Sequence, residues 1–384
     1  MIPYGRQTIS EADIEAVVRV LRSEYLTQGP QVPAFEEAVA KYVGAPHAVA
    51  VNSATSALHM ACLALGLGSE DWLWTSPNSF VASANCALYC GAQVDFVDID
   101  RMTLNICPEA LASKLVNAKK TGKLPKILVP VHFAGQSCEM EAIGALARQY
   151  GIKVIEDASH AIGGLWQNGR VGACQHSEIT VFSFHPVKII TTAEGGMLTT
   201  RDAHIAERLA DLRSHGITRD VSRFKRQDQG AWYYEQQGLG FNYRMTELQA
   251  ALGVSQMCEL DRFVTRRHEL VARYDRGLAD LPLIKPCQHP DSYSAFHLYV
   301  VQVADQSPIK RRELFDALRR VGVMVNVHYI PIHLQPHYLH MGFKAGDFPN
   351  AETYYNRAIS LPLYAGLTES DQDYVIARLK ELLG

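Results

Sequence analysis

At 384 residues, with 47% hydrophobic and 20% charged side chains, the chain carries enough apolar material for a large core divided between two unequal domains. A net charge of −3 gives no basic field to recruit nucleic acid. The opening residues, MIPYGRQTISEAD, lack an apolar leader, and no apolar run is long enough to cross a bilayer. Eight cysteines include no CxxC pair, so the expectation is a cytoplasmic protein with reduced core thiols and no membrane partner. Walker A, GxGxxG, GxSxG and HExxH motifs are missing, as are internal repeats.

In chain order, Ser10 caps a predicted helix with an acidic first turn and an apolar stripe of Ile14, Val17, Val18 and Leu21. Tyr25-Leu26-Thr27-Gln28-Gly29-Pro30 reads as a loop, and a helix over 33–43 stops at Gly44. From His47 strand and helix alternate. Strand-like runs fall at 47–51, 72–75, 93–97, 126–131, 153–157, 179–184 and 196–200, with helix-like segments at 54–66, 79–90, 108–119 and 139–150. This alternation predicts an α/β fold with a largely parallel seven-stranded sheet, covered on both faces and binding ligands outside its carboxyl ends. Near 245 the pattern changes: Thr246 and Gln249 form a capping-box pair that opens a long helix, and strands thin out to 296–303 and 323–329. The expected division is a large domain over 1–245, including an N-terminal segment 1–45, and a smaller α+β domain over 246–384.

One stretch organises the chemistry: residues 178–197, EITVFSFHPVKIITTAEGGM. A single lysine, Lys188, lies between a strand and a Gly195-Gly196 turn. Burial lowers a lysine's pKa and frees a neutral amine for Schiff-base chemistry, although the residue type alone favours an ordinary surface lysine. Asn52-Ser53-Ala54-Thr55-Ser56 follows a strand and opens a helix, which suits either a phosphate or an ordinary cap. Glu156-Asp157 ends a strand with one carboxylate facing inward, to serve a ligand or cap the next helix. Phe80 fits a core position or a ring-stacking one. His328, His333, His337 and His340 invite a zinc reading, but spacings of five, four and three without acidic or cysteine company suit no standard site, so no metal is expected. The basic side chains Arg213, Arg219, Arg223, Lys225 and Arg226 read as solvated surface, some of them able to meet a diphosphate.

The segment SFHPVKIITTAEGG at 183–196 closely resembles the lysine loop of the sugar-nucleotide aminotransferases, a branch of the fold-type I pyridoxal-phosphate enzymes. EDASHA at 156–161, LTQGP at 26–30, SFVASANCALYCGAQVDFVDID at 79–100 and FNYR at 241–244 extend the resemblance over nearly the whole chain. It implies pyridoxal 5'-phosphate as cofactor, carried by Lys188, which also moves the proton. It further implies Asp157 at the ring nitrogen, His160 at the ring's oxygen edge and Phe80 on the ring face. Ala54, Thr55 and Ser183 would form the phosphate cup. Asn242 would reach the neighbour's cofactor in a homodimer with shared active sites. Tyr4, Tyr25, Leu26, Thr27, Asn326, His328 and Tyr329 would meet the substrate. Ile189 stands where the family commonly has proline and Ala193 where it has glycine, but neither supplies a reacting group.

LTQGP and the 79–100 segment look like the subgroup that makes UDP-4-amino-4,6-dideoxy-N-acetyl-β-L-altrosamine for pseudaminic acid. By that resemblance L-glutamate is the amino donor, a UDP-4-keto-sugar the acceptor, and the kinetics ping-pong. The rivals are a 4-aminotransferase for another nucleotide sugar, such as the bacillosamine or perosamine precursor, and a regulator that binds cofactor or sugar without turnover. A dehydrating relative with histidine at the lysine position is disfavoured by Lys188.

Overall fold

In the computed structural model, which describes residues 1–226 and 228–384, seven strands form the central sheet. They are β1 (His47–Val51), β2 (Trp72–Thr75), β3 (Gln93–Phe96), β4 (Ile127–Val129), β5 (Lys153–Asp157), β6 (Ile179–Ser183) and β7 (Gly196–Thr200). Their spatial order is β1-β7-β6-β5-β4-β2-β3. Neighbours pair in parallel except β7, which is antiparallel to both β1 and β6. The exception follows from connectivity. Residues 184–195 join β6 to β7 without a crossover helix, so the chain returns antiparallel and leaves its loop at the carboxyl ends of the parallel strands.

The strands are rich in Val, Ile and Leu because helices cover the sheet on both faces. The first helices are α1 (Glu11–Leu21) and α2 (Gln31–Val43), the latter ended by Gly44 at φ +76. Next come α3 (Ala54–Ala64), α4 (Ala82–Tyr89), α5 (Pro108–Thr121), α6 (Met140–Tyr150) and α7 (Ala203–Arg213). Helix α3 is buried continuously from Ser56 to Cys62, which explains its small and apolar sequence. The expected stripe on α1 faces the other way: Ile14 and Leu21 are exposed, and the buried residues are Asp13, Ala16 and Val20. Asp13 goes inward because it closes the Ser10 capping box and accepts Nε2–H of Gln256 at 2.8 Å.

The long helix expected from Thr246 is two helices, α8 (Glu247–Met257) and α9 (Leu260–Gly277), broken at Cys258-Glu259. Helix α8 packs on α1 and α2, and Met245, Ala250, Leu260, Phe263 and Val264 share an apolar cluster with Val32, Phe35 and Phe182. From Leu270 onward α9 joins a second cluster with Tyr299, Leu314 and Val375. We therefore propose that the domain division lies inside α9, between Val264 and Leu270, rather than at 245/246. Beyond it, β8 (Leu283–Ile284), β9 (Tyr299–Val303) and β10 (Ala358–Leu361) form an antiparallel sheet in that order. Helices α10 (Arg311–Arg320), α11 (Pro336–His340), α12 (Pro349–Arg357) and α13 (Glu369–Leu383) complete this part. The strand expected over 323–329 is only Val323–Met324, paired in parallel with Ile2–Pro3. That pairing brings the N-terminus beside the C-terminal part and delivers Tyr4 to the site.

Candidate active site

A cavity of about 560 Å³ opens at the carboxyl ends of β1, β5 and β6. Eleven residues singled out in the sequence line it: Tyr4, Ala54, Thr55, Phe80, Asp157, His160, Ser183, Lys188, Asn326, His328 and Tyr329.

Lys188 sits half-buried in the loop between β6 and β7, its backbone N–H turned onto His185 O at 2.9 Å. Its Nζ has no hydrogen-bond or ion-pair partner among the described residues. Burial lowers the amine to about 8, against the opposing pull of Asp157. A substantial fraction is therefore neutral near physiological pH.

The two carboxylates at the end of β5 alternate, as strand geometry requires. Glu156 turns away from the cavity and accepts His132 Nε2–H at 2.8 Å, Ser177 at 2.5 Å and Thr180 at 3.2 Å. His132 Nδ1 accepts the N–H of Cys138, so the proton on this ring is at Nε2. Asp157 is 4% exposed and turns into the cavity. Ser83 Oγ–H donates to its Oδ2 at 2.6 Å; Ser159 Oγ–H and N–H donate to its Oδ1 at 2.6 and 3.1 Å.

At the other end, Ser53 caps α3 by accepting the N–H of Ser56 at 3.1 Å. The amides of Ala54 and Thr55 in the first turn then have no acceptor among the described residues, and they point at a site favourable to an anion. Ser183, 7% exposed, lines the same end. The cradle depends on Gly196, since a Cβ there would stand 2.6 Å from the Ser53 carbonyl carbon and 2.7 Å from Ala54 N.

Histidines and tyrosines form the remaining wall. The N–H of Ala134 donates to His160 Nδ1 at 3.3 Å, and Tyr329 Oη lies 3.0 Å from Nε2. With Nδ1 accepting, Nε2 carries the proton and donates to Tyr329, which leaves the phenol O–H free to donate elsewhere. Burial, then Lys188 and His328, hold His160 well below the usual imidazole range, so it is neutral. Burial and Lys188 lower His328 to about 3, and its Nδ1 lies 2.7 Å from Ser360 Oγ. Tyr4 tilts against His328 with ring centroids 5.2 Å apart. Phe80, 60% exposed, presents its ring to the cavity.

Four expected site residues lie outside this cavity. Asn242 is exposed and bridges to Ser214; Tyr25, Leu26 and Thr27 are exposed, with Thr27 bridged to Thr246. The four spaced histidines do not converge: His333 pairs with Glu352 at 2.9 Å, while His337 and His340 ride on α11. Among the described residues there is no group of three or more His, Cys, Asp or Glu able to hold a metal. Two of the basic residues are structural. Arg213 binds Glu36 at 2.5 Å and Ala50 O at 2.8 Å, and Arg223 pairs with Asp211. Arg219 and Arg226 instead line a separate cavity of about 230 Å³.

Sequence reasoning missed Ser83, Ser159 and His297. Ser159 was legible as the second residue after Asp157 in an Asx turn. Ser83 lies one helical turn beyond Phe80, a spacing that carries no signal until Asp157 is known to face it. His297 opens a strand-like run and gives no local sign of its role.

Residues 7–380 match the sequence model of the DegT/DnrJ/EryC1/StrS aminotransferase family. The chain is 40% identical over its whole length to the spore coat polysaccharide biosynthesis protein SpsC of Bacillus subtilis, covering 97% of that protein. Helicobacter pylori PseC, an aminotransferase involved in the biosynthesis of pseudoaminic acid, superposes with a TM-score of 0.90 at 33% identity, covering 100% of this chain and 99% of that one. The putative sugar aminotransferase Spr1654 of Streptococcus pneumoniae, in its PMP-form, gives a TM-score of 0.90 at 28% identity, again over 100% and 99% of the two chains. Enzymes of this family use pyridoxal phosphate. The cavity's groups fit that molecule: unclaimed amides to donate to a phosphate, a buried carboxylate to accept from a protonated ring nitrogen, and a partly neutral amine for an aldehyde. The chain belongs to the DegT/DnrJ/EryC1/StrS family and is a pyridoxal-phosphate-dependent sugar aminotransferase.

Proposed function

We propose that the protein transfers the amino group of L-glutamate to C4 of a UDP-4-keto-6-deoxy-N-acetylhexosamine in the cytoplasm. The product is UDP-4-amino-4,6-dideoxy-N-acetyl-β-L-altrosamine, an intermediate of pseudaminic acid for flagellin glycosylation or surface polysaccharide. The observation that carries a transamination site is Lys188, an unpaired amine lowered to about 8 in the same cavity as Asp157. The choice of sugar is supported by the LTQGP and 79–100 segments and by the similarity to PseC.

Bound pyridoxal phosphate would supply the electron sink for the transfer. Ala54 and Thr55 amides and the Ser183 hydroxyl hold its phosphate. Asp157, fixed by Ser83 and Ser159, keeps the ring nitrogen protonated. His160 would lie at the ring's oxygen edge, where the Tyr329 hydroxyl it holds is free to donate, and Phe80 would cover one face. Lys188 takes the proton from the donor's α-carbon and later returns one to C4 of the sugar. Tyr4, Asn326, His328 and Tyr329 orient the sugar.

The active unit in this reading is a homodimer. Ile14, Leu21, Tyr25 and Leu26, on α1 and the loop after it, are exposed apolar side chains, which supports coverage by a second copy. Asn242 and Tyr25-Leu26-Thr27, outside their own cavity, would then serve the partner's. Incubating the holoenzyme with glutamate and a panel of 4-keto-sugar nucleotides, and reading the C4 configuration of the product by NMR, tests the assignment. Amination of a bacillosamine or perosamine precursor alone would replace it with the second reading, a 4-aminotransferase for another polysaccharide sugar. The similarity to SpsC favours that alternative.

A further inference from the structure

His297 lies on the cavity wall, its ring 4.4 Å from that of His160 between centroids. It is 3% exposed, yet neither ring nitrogen has a hydrogen-bond partner among the described residues; Nδ1 is sealed from solvent, so Nε2 is the atom a ligand in the cavity can reach. Leaving a buried imidazole unpaired is costly, and proteins rarely do so without a use for it.

The backbone is built to keep it there. Phe296, immediately before it, has φ +46, a left-handed conformation that a bulky side chain rarely adopts and that must be held by its surroundings. Nη1 of Arg267 gathers the carbonyls of Phe296, His297 and Leu363 at 3.1, 3.2 and 3.0 Å. On the opposite side Gly135, at φ +103, packs so closely that a Cβ would stand 2.7 Å from Phe296 N and 2.9 Å from His297 N.

The charged and titratable groups that most lower this ring are His160 after β5, Lys188 after β6, Arg267 on α9 and His328 beyond Met324, while the carboxylates of Asp157 and Glu194 line the same cavity. No arginine of the same chain lines the cavity among the described residues. A ping-pong site must nevertheless take two unlike ligands in turn, a dicarboxylate and a sugar whose reacting end is uncharged. An arginine for the first would stand desolvated and unpaired against the second. An imidazole can give up its charge instead.

We propose that His297 contacts a carboxylate of the amino donor through Nε2, as a switchable cation that is protonated with the donor bound and neutral with the sugar bound. This deepens the transamination reading and rests on it. Burial, followed by His160, Lys188, Arg267 and His328, holds the empty-site imidazole well below its usual range. The proton therefore arrives from solvent together with the carboxylate, and donor affinity falls as pH rises through the value of the complex.

The test uses the pyridoxal-phosphate holoenzyme and glutarate, a dicarboxylate with no amine to react. Calorimetry at about pH 6.5, in two buffers of different ionisation heat, should show wild type taking up a proton on binding and His297→Gln taking up none. Stopped-flow measurement of each half-reaction should show His297→Gln and His297→Phe about 10- to 100-fold slower in kcat/KM for glutamate, and within about 3-fold of wild type for the amino-sugar run in reverse. Near-ultraviolet dichroism of the bound cofactor confirms that the glutamine variant is folded. Equal proton uptake in wild type and His297→Gln overturns the proposal, as does no glutarate binding to wild type or an equal loss in both half-reactions. If wild type takes up a proton with glutarate but never converts glutamate, the assigned donor fails while the role of His297 in carboxylate binding stands.

Discussion

Ser83 donates its hydroxyl proton to Oδ2 of Asp157 at 2.6 Å, and because a carboxylate has no proton to return, Ser79 must in turn donate to Ser83 across 2.7 Å. Two serines of one segment thus fix the carboxylate that faces the cavity. Replacing Asp157 with Asn puts an amide N–H₂ against Ser83 or Ser159 and removes the negative charge. The glutamate half-reaction followed by stopped flow should slow by about 100-fold or more. Ser83→Ala deletes one of three donors and leaves the charge, so the loss should be about 10-fold. A near-wild-type rate in Asp157→Asn would assign the electron-sink partner elsewhere.

Lys188 makes a prediction about pH. In the proposed role the amine can attack the cofactor's aldehyde only when neutral, and its pKa is lowered to about 8 by burial, against Asp157. The rate of pyridoxal-phosphate attachment to apoenzyme should rise with pH through about 8 and then level off, whereas an ordinary lysine would keep rising toward about 10. Asp157 acts to raise this value, so in Asp157→Asn the midpoint should move to lower pH. A shift upward, or no levelling below about pH 10, contradicts the arrangement described here. Lys188→Arg keeps a charge but cannot attach the cofactor, so borohydride reduction followed by peptide mass spectrometry should find no labelled residue in it.

The sheet was legible because each of its strands is a short apolar run between turn signals, and β1, β2, β5 and β7 match their expected bounds. Local motifs placed Lys188, Asp157 and the first turn of α3, since a strand's carboxyl end decides where each of them points. What the sequence hid depends on partners far along the chain. The burial of Asp13, which turns α1 around, depends on Gln256. Gln249 caps its own helix as read, yet the break after Met257 is set by α8 packing on α1 and α2 while α9 leaves for the second cluster. His297 becomes conspicuous only when His160, Gly135 and Arg267 are seen around it.

Glu156 ties the sheet to acid stability. Burial raises its pKa, but the hydrogen bonds from His132, Ser177 and Thr180 bring the net value below its ordinary range. A depressed carboxylate contributes stability that is present above its unfolded pKa and is lost as pH falls through the folded value. Glu156→Gln should therefore cost about 1–3 kcal/mol at neutral pH. The gap to wild type should narrow below about pH 4.5, read from urea midpoints across a pH series. A gap that stays constant to pH 3 would mean that the side chain's shape, not its charge, matters.

Asn242 gives the sharpest test of a shared site. It is exposed, bridged to Ser214, and absent from the lining of its own cavity. If it serves the partner's cofactor phosphate, Asn242→Asp places a negative charge against that phosphate and both sites of the mutant dimer should be weak. Lys188→Ala dimers should be inactive for a different reason. In a mixed dimer, the site built on the Asn242→Asp chain keeps its own Lys188 and receives Asn242 from the Lys188→Ala chain, so it regains both wild-type residues; the other site has neither. Random exchange of equal amounts makes half the dimers mixed, each with one competent site, so specific activity should recover to about a quarter of wild type. Native mass spectrometry verifies exchange, and a mixture with verified mixed dimers but no recovered activity would place Asn242 outside the partner's site.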